Sequence, residues 1–105
     1  MSQVPEVSVQ EASEAVARGA VLIDVREPKE YASERIPGAT LIPLGEVPDR
    51  IGEIPADGEV FIHCRVGGRS AKAVEYLQSQ GRGNAVNVGG GIEAWAAAGL
   101  PVSRG

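Results

Sequence analysis

Val60-Phe61-Ile62-His63-Cys64, followed by Arg65-Val66-Gly67-Gly68-Arg69-Ser70, is the stretch on which the reading of this chain turns. Its first five residues form a near-continuous apolar run, the pattern of a strand covered on both faces in a parallel sheet. Two glycines break the run, and Ala73, Val74 and Leu77 then recur at helical spacing as far as Gly81. Strand, tight turn and helix in that order place Cys64 at the carboxyl end of a buried strand, where open parallel sheets hold their ligands and where the sequence predicts an accessible thiol.

Working outward, Val21-Leu22-Ile23-Asp24-Val25 repeats the buried-strand pattern. Thr40-Leu41-Ile42 and Ala85-Val86-Asn87-Val88 are weaker runs, and Val7 to Val9 reads as an edge strand. The segments between start and stop as helices do. Ser8 and Glu11 have capping-box spacing with Gly19 as the stop, and Pro28 suits a first helical position. Ile92, Trp95 and Ala96 recur before Gly99 and Pro101. This alternation predicts an α/β fold, a three-layer sandwich with a five-stranded, mainly parallel sheet flanked by helices. With 105 residues, 43% of them hydrophobic, the chain is expected to be a single domain over residues 1–105.

Charge and cysteine usage remove several function classes. The net charge is −4, and no stripe of lysine or arginine runs along the chain, which argues against nucleic acid as a partner. Five basic against twelve acidic residues lie in 1–59, and five against two in 60–105, so a small anion would favour the second half. No apolar run reaches the length of a membrane span, and Met1-Ser2-Gln3-Val4-Pro5 lacks the start of a signal peptide. The expectation is a cytoplasmic protein with no membrane contact, in which a lone thiol stays reduced. A single cysteine permits no internal disulfide, no zinc pair and no dithiol cycle. Gly89-Gly90-Gly91 lacks dinucleotide-loop spacing and reads as a tight turn, so no cofactor is expected. A monomer is the default, since no apolar helix face is left over.

The chemistry concentrates on Cys64. Gly67 and Gly68 let the backbone curl until several N–H groups point inward, and the following helix start adds partial positive charge. With Arg65 and Arg69 alongside, this cradle favours a thiolate at neutral pH without a general base. A lone cysteine is more often a buried packing residue, but packing requires neither the glycine pair nor the arginines. His63 alternates to the opposite face of its strand and reads as a packed core histidine. Asp24, Arg26 and Glu27 end the neighbouring strand and read first as a structural ion pair; Trp95 and Tyr31 read as core.

Taken in order, Val21-Leu22-Ile23-Asp24-Val25-Arg26-Glu27, Glu30-Tyr31, Ile36-Pro37-Gly38-Ala39, the Cys64 loop, Gly90-Gly91-Ile92-Glu93-Ala94-Trp95 and Gly99-Leu100-Pro101-Val102 resemble the single-domain rhodanese family of sulfurtransferases. The resemblance covers nearly the whole chain, and its most specific part is the Cys-x-x-Gly-x-Arg-Ser loop. It implies a five-stranded parallel sheet and a cysteine that takes up a sulfane sulfur as a persulfide. The substrate-binding residues would be Arg65, Val66, Gly67, Gly68, Arg69 and Ser70 around the catalytic Cys64. The expected partners are an anionic sulfur donor such as thiosulfate and a cyanide, thiol or protein acceptor. Two positions depart from the family pattern. Glu34-Arg35 stands where Gly-His is frequent, and Val66 stands where some thiosulfate-using members carry a basic residue, so persulfide formation is implied more directly than thiosulfate use.

Two other readings stand beside this one. Cysteine phosphatases share the strand, loop and helix, but place five residues between cysteine and arginine; Cys64 and Arg69 have four between them, a tighter loop suited to a single outer sulfur. An arsenate reductase would need a second thiol. A non-catalytic binding module of the same fold commonly lacks the cysteine that this chain retains.

Overall fold

The strand that leads into Cys64 is the middle of the sheet. The computed structural model describes residues 4–105. In chain order the elements are β1 (Glu6–Val7), α1 (Val9–Ala17), β2 (Val21–Asp24), α2 (Pro28–Ser33), β3 (Glu34–Arg35), β4 (Thr40–Leu41), β5 (Val60–His63), α3 (Gly68–Ser79), β6 (Ala85–Val88), α4 (Gly91–Ala97) and β7 (Ser103–Arg104). Two short 3-10 turns, Leu44–Glu46 and Ile51–Glu53, fill the connection from β4 to β5.

Five strands pair in the order β1-β6-β5-β2-β4, every neighbour parallel. The expected α/β sandwich is therefore present, and its sheet is wholly parallel. Because side chains alternate along a strand, β2 and β5 divide their apolar residues between two cores. Ile23, Val60, Ile62 and Cys64 face Ala73, Val74 and Leu77 of α3. Leu22 and Phe61 face Val9, Ala12 and Ala15 of α1 and Ile92 and Trp95 of α4. Leu77 is wholly buried, and covering such a side chain stabilises by about 2 kcal/mol.

The local signals account for the helix ends. Ser8 accepts from the Glu11 N–H while the Glu11 carboxylate accepts from the Ser8 N–H, both at 3.1 Å, and Pro28 opens α2. This cap corrects the first strand. Val9 is the first residue of α1, so the edge strand is Glu6–Val7 and not Val7 to Val9. Tyr31 is also corrected, since it is half-buried and its hydroxyl donates to the Ala39 carbonyl at 2.8 Å. Glu34-Arg35, the departure from the family pattern, forms β3 and pairs antiparallel with β7, closed by an Arg104–Glu34 ion pair. Among the described residues no helix is long and apolar enough to cross a membrane.

Candidate active site

Cys64 follows β5 directly, and the backbone turns beneath it. Gly67 takes φ +118°, a left-handed conformation that side-chain-bearing residues rarely adopt, and thereby starts α3 at Gly68. The turn aims the Gly67 N–H at the Cys64 Sγ, 3.0 Å away, and the first turn of α3 brings the Ser70 hydroxyl to 3.3 Å. Burial pushes the thiol up, but hydrogen bonds from the Ser70 hydroxyl and from the N–H groups of Ser70, Gly67 and Val66 hold it below its ordinary value. The expected inward-pointing cradle is thus in place, with Ser70 wholly buried beside the sulfur.

The loop's carbonyls are directed the other way. Ile92 N–H donates to the Cys64 carbonyl at 2.9 Å and Glu93 N–H to the Arg65 carbonyl at 3.1 Å, so the otherwise unpaired first donors of α4 hold the loop from behind. This needs a very close approach: a Cβ on Gly91 would overlap the Cys64 carbonyl oxygen and lie 2.6 Å from that of Arg65. The tight turn expected at Gly89-Gly90-Gly91 is therefore part of the scaffold of the Cys64 loop. Asn87 of β6 adds a long contact to the Gly67 carbonyl at 3.5 Å and a firmer one to Glu6 at 3.0 Å.

Accessibility is where the sequence expectation needs correction. Cys64 is 1% exposed, because its strand is central and α3 lies over it; it meets a cavity of about 350 Å³ lined also by Arg65, Val66, Gly68, Arg69 and Lys72. Val66 stands on the rim, about half exposed. Lys72 was not singled out by the sequence; its helical spacing from Gly68 and Arg69 was the available signal.

Both arginines are present at the cavity, but each already has a carboxylate. Arg69 makes a two-point contact with Glu30 of α2, at 2.7 and 3.0 Å. Held by that guanidinium, the Glu30 carboxyl is lowered to about 2. Arg65 pairs with Glu93 at 2.6 Å on the surface. The groups that hydrogen-bond the sulfur are therefore neutral donors, and each arginine at the cavity shares its charge with a carboxylate.

On the other sheet face, the end of β2 is closed. Arg26 grips Asp24 with its Nε at 3.0 Å from Oδ1 and a terminal nitrogen at 2.8 Å from Oδ2, and reaches the Glu34 carbonyl. All of Asp24 and nearly all of Arg26 is buried, so this is the structural pair that the sequence suggested. His63 lies beside it, wholly buried, its Nδ1 3.2 Å from the Cys64 carbonyl. Burial holds its pKa down against the opposing pull of Asp24, and the alternation of β5 turns the ring to the sheet face opposite Cys64.

The chain is similar to known proteins over most of its length. The profile described as Rhodanese-like domain matches residues 8–98. A protein named "Sulfurtransferase" from Allochromatium vinosum is 48% identical over 82 residues, covering 78% of this chain and 77% of that one. "Thiosulfate sulfurtransferase GlpE" of Pseudomonas entomophila is 36% identical over 95 residues, 90% of this chain and 87% of its own. Among solved structures, a rhodanese-related protein from Thermoplasma volcanium superposes with a TM-score of 0.87 at 32% identity, covering 94% of this chain and 97% of that one.

Proposed function

Since the chain belongs to the rhodanese-like domain family, we propose that it is a sulfurtransferase working through a persulfide on Cys64. The relatives named above support sulfur transfer at the level of the family. The observation that carries the assignment to this site is the Gly67 N–H donating to the Cys64 Sγ at 3.0 Å, with Ser70 at 3.3 Å, in a cavity.

The thiolate attacks the outer sulfur of a donor such as thiosulfate. A bond forms between Sγ and that sulfur, the donor's S–S bond breaks, and sulfite leaves with the bonding pair. The persulfide's terminal sulfur then carries the negative charge, in reach of the preorganised N–H groups of the loop. In the second half-reaction a nucleophile, whether cyanide, a thiol or a protein thiol, takes the terminal sulfur and the pair returns to Sγ. Cyanide leaves as thiocyanate. No proton has to move at Cys64 in either step, which matches a site whose nearest partners are hydrogen-bond donors and not a base.

The loop from Arg65 to Ser70 (Arg65, Val66, Gly67, Gly68, Arg69 and Ser70) is proposed to bind the reacting sulfur of the donor through its N–H groups and the Ser70 hydroxyl, with Cys64 as the catalytic residue and a reducing compartment, such as the cytoplasm, as the setting. Mass spectrometry after thiosulfate treatment tests the proposal: one added sulfur on the peptide carrying Cys64, removed by cyanide with release of thiocyanate. An unmodified Cys64, together with hydrolysis of a phosphotyrosine analogue, would transfer the site to phosphatase chemistry.

A further inference from the structure

We propose that Lys72, and not either arginine of the loop, receives the anionic head of the sulfur donor and so separates charged donors from neutral ones. Three cations line the cavity that Cys64 meets: Arg65, Arg69 and Lys72. Arg69 is held at two points by Glu30, a carboxylate that stays ionised with its pKa lowered to about 2 by that same guanidinium. An anion reaching for Arg69 meets a guanidinium whose charge is already shared with a two-point carboxylate partner, so its pull on a second anion is weakened. Arg65 shares its charge with Glu93 at 2.6 Å, both side chains more than half exposed.

Lys72 differs from both. Among the described residues it has no carboxylate within ion-pair distance, and it lies one helical turn beyond Gly68 and Arg69 on the cavity side of α3. Its side chain is exposed, so its ammonium is free to move toward a ligand. An ammonium is a compact charge with three rotatable donors on a flexible stem, suited to the oxygens of a small sulfonate-like head. A donor whose outer sulfur is at Cys64 must put that head elsewhere in the same cavity, where, among the described residues, Lys72 is the one lining cation without a carboxylate of its own. A donor with no charge gains nothing from Lys72.

The identity of the anion rests on the sulfur-transfer reading, but the charge assignment is tested without it. Cys64 is alkylated in parallel with iodoacetate, an anion, and iodoacetamide, its neutral counterpart, at low ionic strength. The ratio of the two rates cancels the thiolate fraction and reads the field at the sulfur. Lys72→Gln should lower that ratio about fivefold, within the range of one unscreened surface charge, and Arg65→Gln by about twofold at most. Arg18→Gln, at the end of α1 on the opposite sheet face, serves as the control and should leave it unchanged. In the transfer assay, Lys72→Gln should raise the KM for thiosulfate about fivefold with kcat retained, and leave the KM for an uncharged organic trisulfide where it was. An unchanged alkylation ratio in Lys72→Gln, an equal fall in Arg65→Gln, or equal losses with both donors overturns the assignment. If no persulfide forms in the parent, the sulfur-transfer reading falls, and the alkylation ratios still decide the role of Lys72.

Discussion

Two neighbouring strands, β2 and β5, end side by side in the sheet, and each leads into a helix, yet β5 leads to a sulfur at a cavity and β2 to a closed ion pair. After β5 the backbone turns through Gly67 and leaves its N–H groups aimed at a sulfur; after β2 it closes on itself, because Arg26 folds back on Asp24 and uses both carboxylate oxygens. Register places Asp24 directly beside His63, one residue before Cys64, so proximity to the sulfur does not distinguish the two. What distinguishes them is the sheet face and the direction of the donors, which turn toward the sulfur after β5 and toward a carboxylate after β2. Position at a strand end provides the opportunity, and an N–H cradle turned toward a sulfur stabilises its charged form.

The sharpest way to break this comparison is at the sulfur. Cys64→Ser keeps the size and the buried position but removes the thiolate, and should abolish sulfur transfer to background while the melting temperature changes by only a few degrees. Retained transfer would mean that the nucleophile lies elsewhere. On the β2 side the expectation is the reverse. Asp24→Asn leaves Arg26 buried without its countercharge and should cost about 3 kcal/mol or more, read as a fall of ten degrees or more in melting temperature. Below the transition, Cys64 should still be alkylated at close to the parent rate. Loss of Cys64 reactivity in a protein of parental stability would instead make the buried pair a working part of the site.

How far the sequence could be read follows the same division. The Cys64 loop was legible because all of its parts are contiguous: an apolar run, two glycines and a helical repeat specify a strand, a left-handed turn and a helix start without reference to the rest of the chain. The five parallel strands were legible for the same reason, each being a short local pattern. Contacts across the fold were not legible. Glu30 meets Arg69 across 39 positions, and Glu93 meets Arg65 across 28, and nothing in either local pattern says that α2 and α4 deliver carboxylates to the cavity rim. The sequence therefore placed Arg65 and Arg69 beside the cysteine without showing the carboxylates that each would meet. The ribbon of Glu34-Arg35 with Ser103-Arg104 and the burial of Gly91 against the loop carbonyls belong to the same class, since both depend on topology.

Ser70 lets the electrostatic account be sharpened within the cradle. Its hydroxyl stabilises the charged form of Cys64, so Ser70→Ala removes a contribution that holds the thiol pKa down and the pKa rises. The sign is then fixed: below neutral pH a smaller fraction is thiolate and iodoacetamide alkylation slows, by about fivefold for a hydrogen bond of ~1 kcal/mol. Well above the thiol range both proteins are fully ionised and the two rates converge. A parallel loss at every pH would point to distorted geometry and not to lost stabilisation of the thiolate.

The smallest expected effect is also the one that examines the charge that Arg69 shares with Glu30. Glu30→Gln removes the carboxylate that neutralises Arg69 while keeping a side chain of the same length. If Arg69 is at present neutralised, releasing it adds a positive charge at the cavity wall, and the preference of Cys64 for iodoacetate over iodoacetamide should rise, by about threefold at low salt. The gain should fade as the ionic strength approaches 1 M, where charges are screened within about 3 Å. The same substitution frees a guanidinium that is partly exposed, so the gain is expected to be modest. A fall in the ratio, or slower alkylation by both reagents, would show that Glu30 serves mainly to hold the start of α3 in place and that the Arg69 charge was never masked. Either result separates two roles that one ion pair can fill, and it does so on the side of the molecule where the sequence did not show the carboxylates.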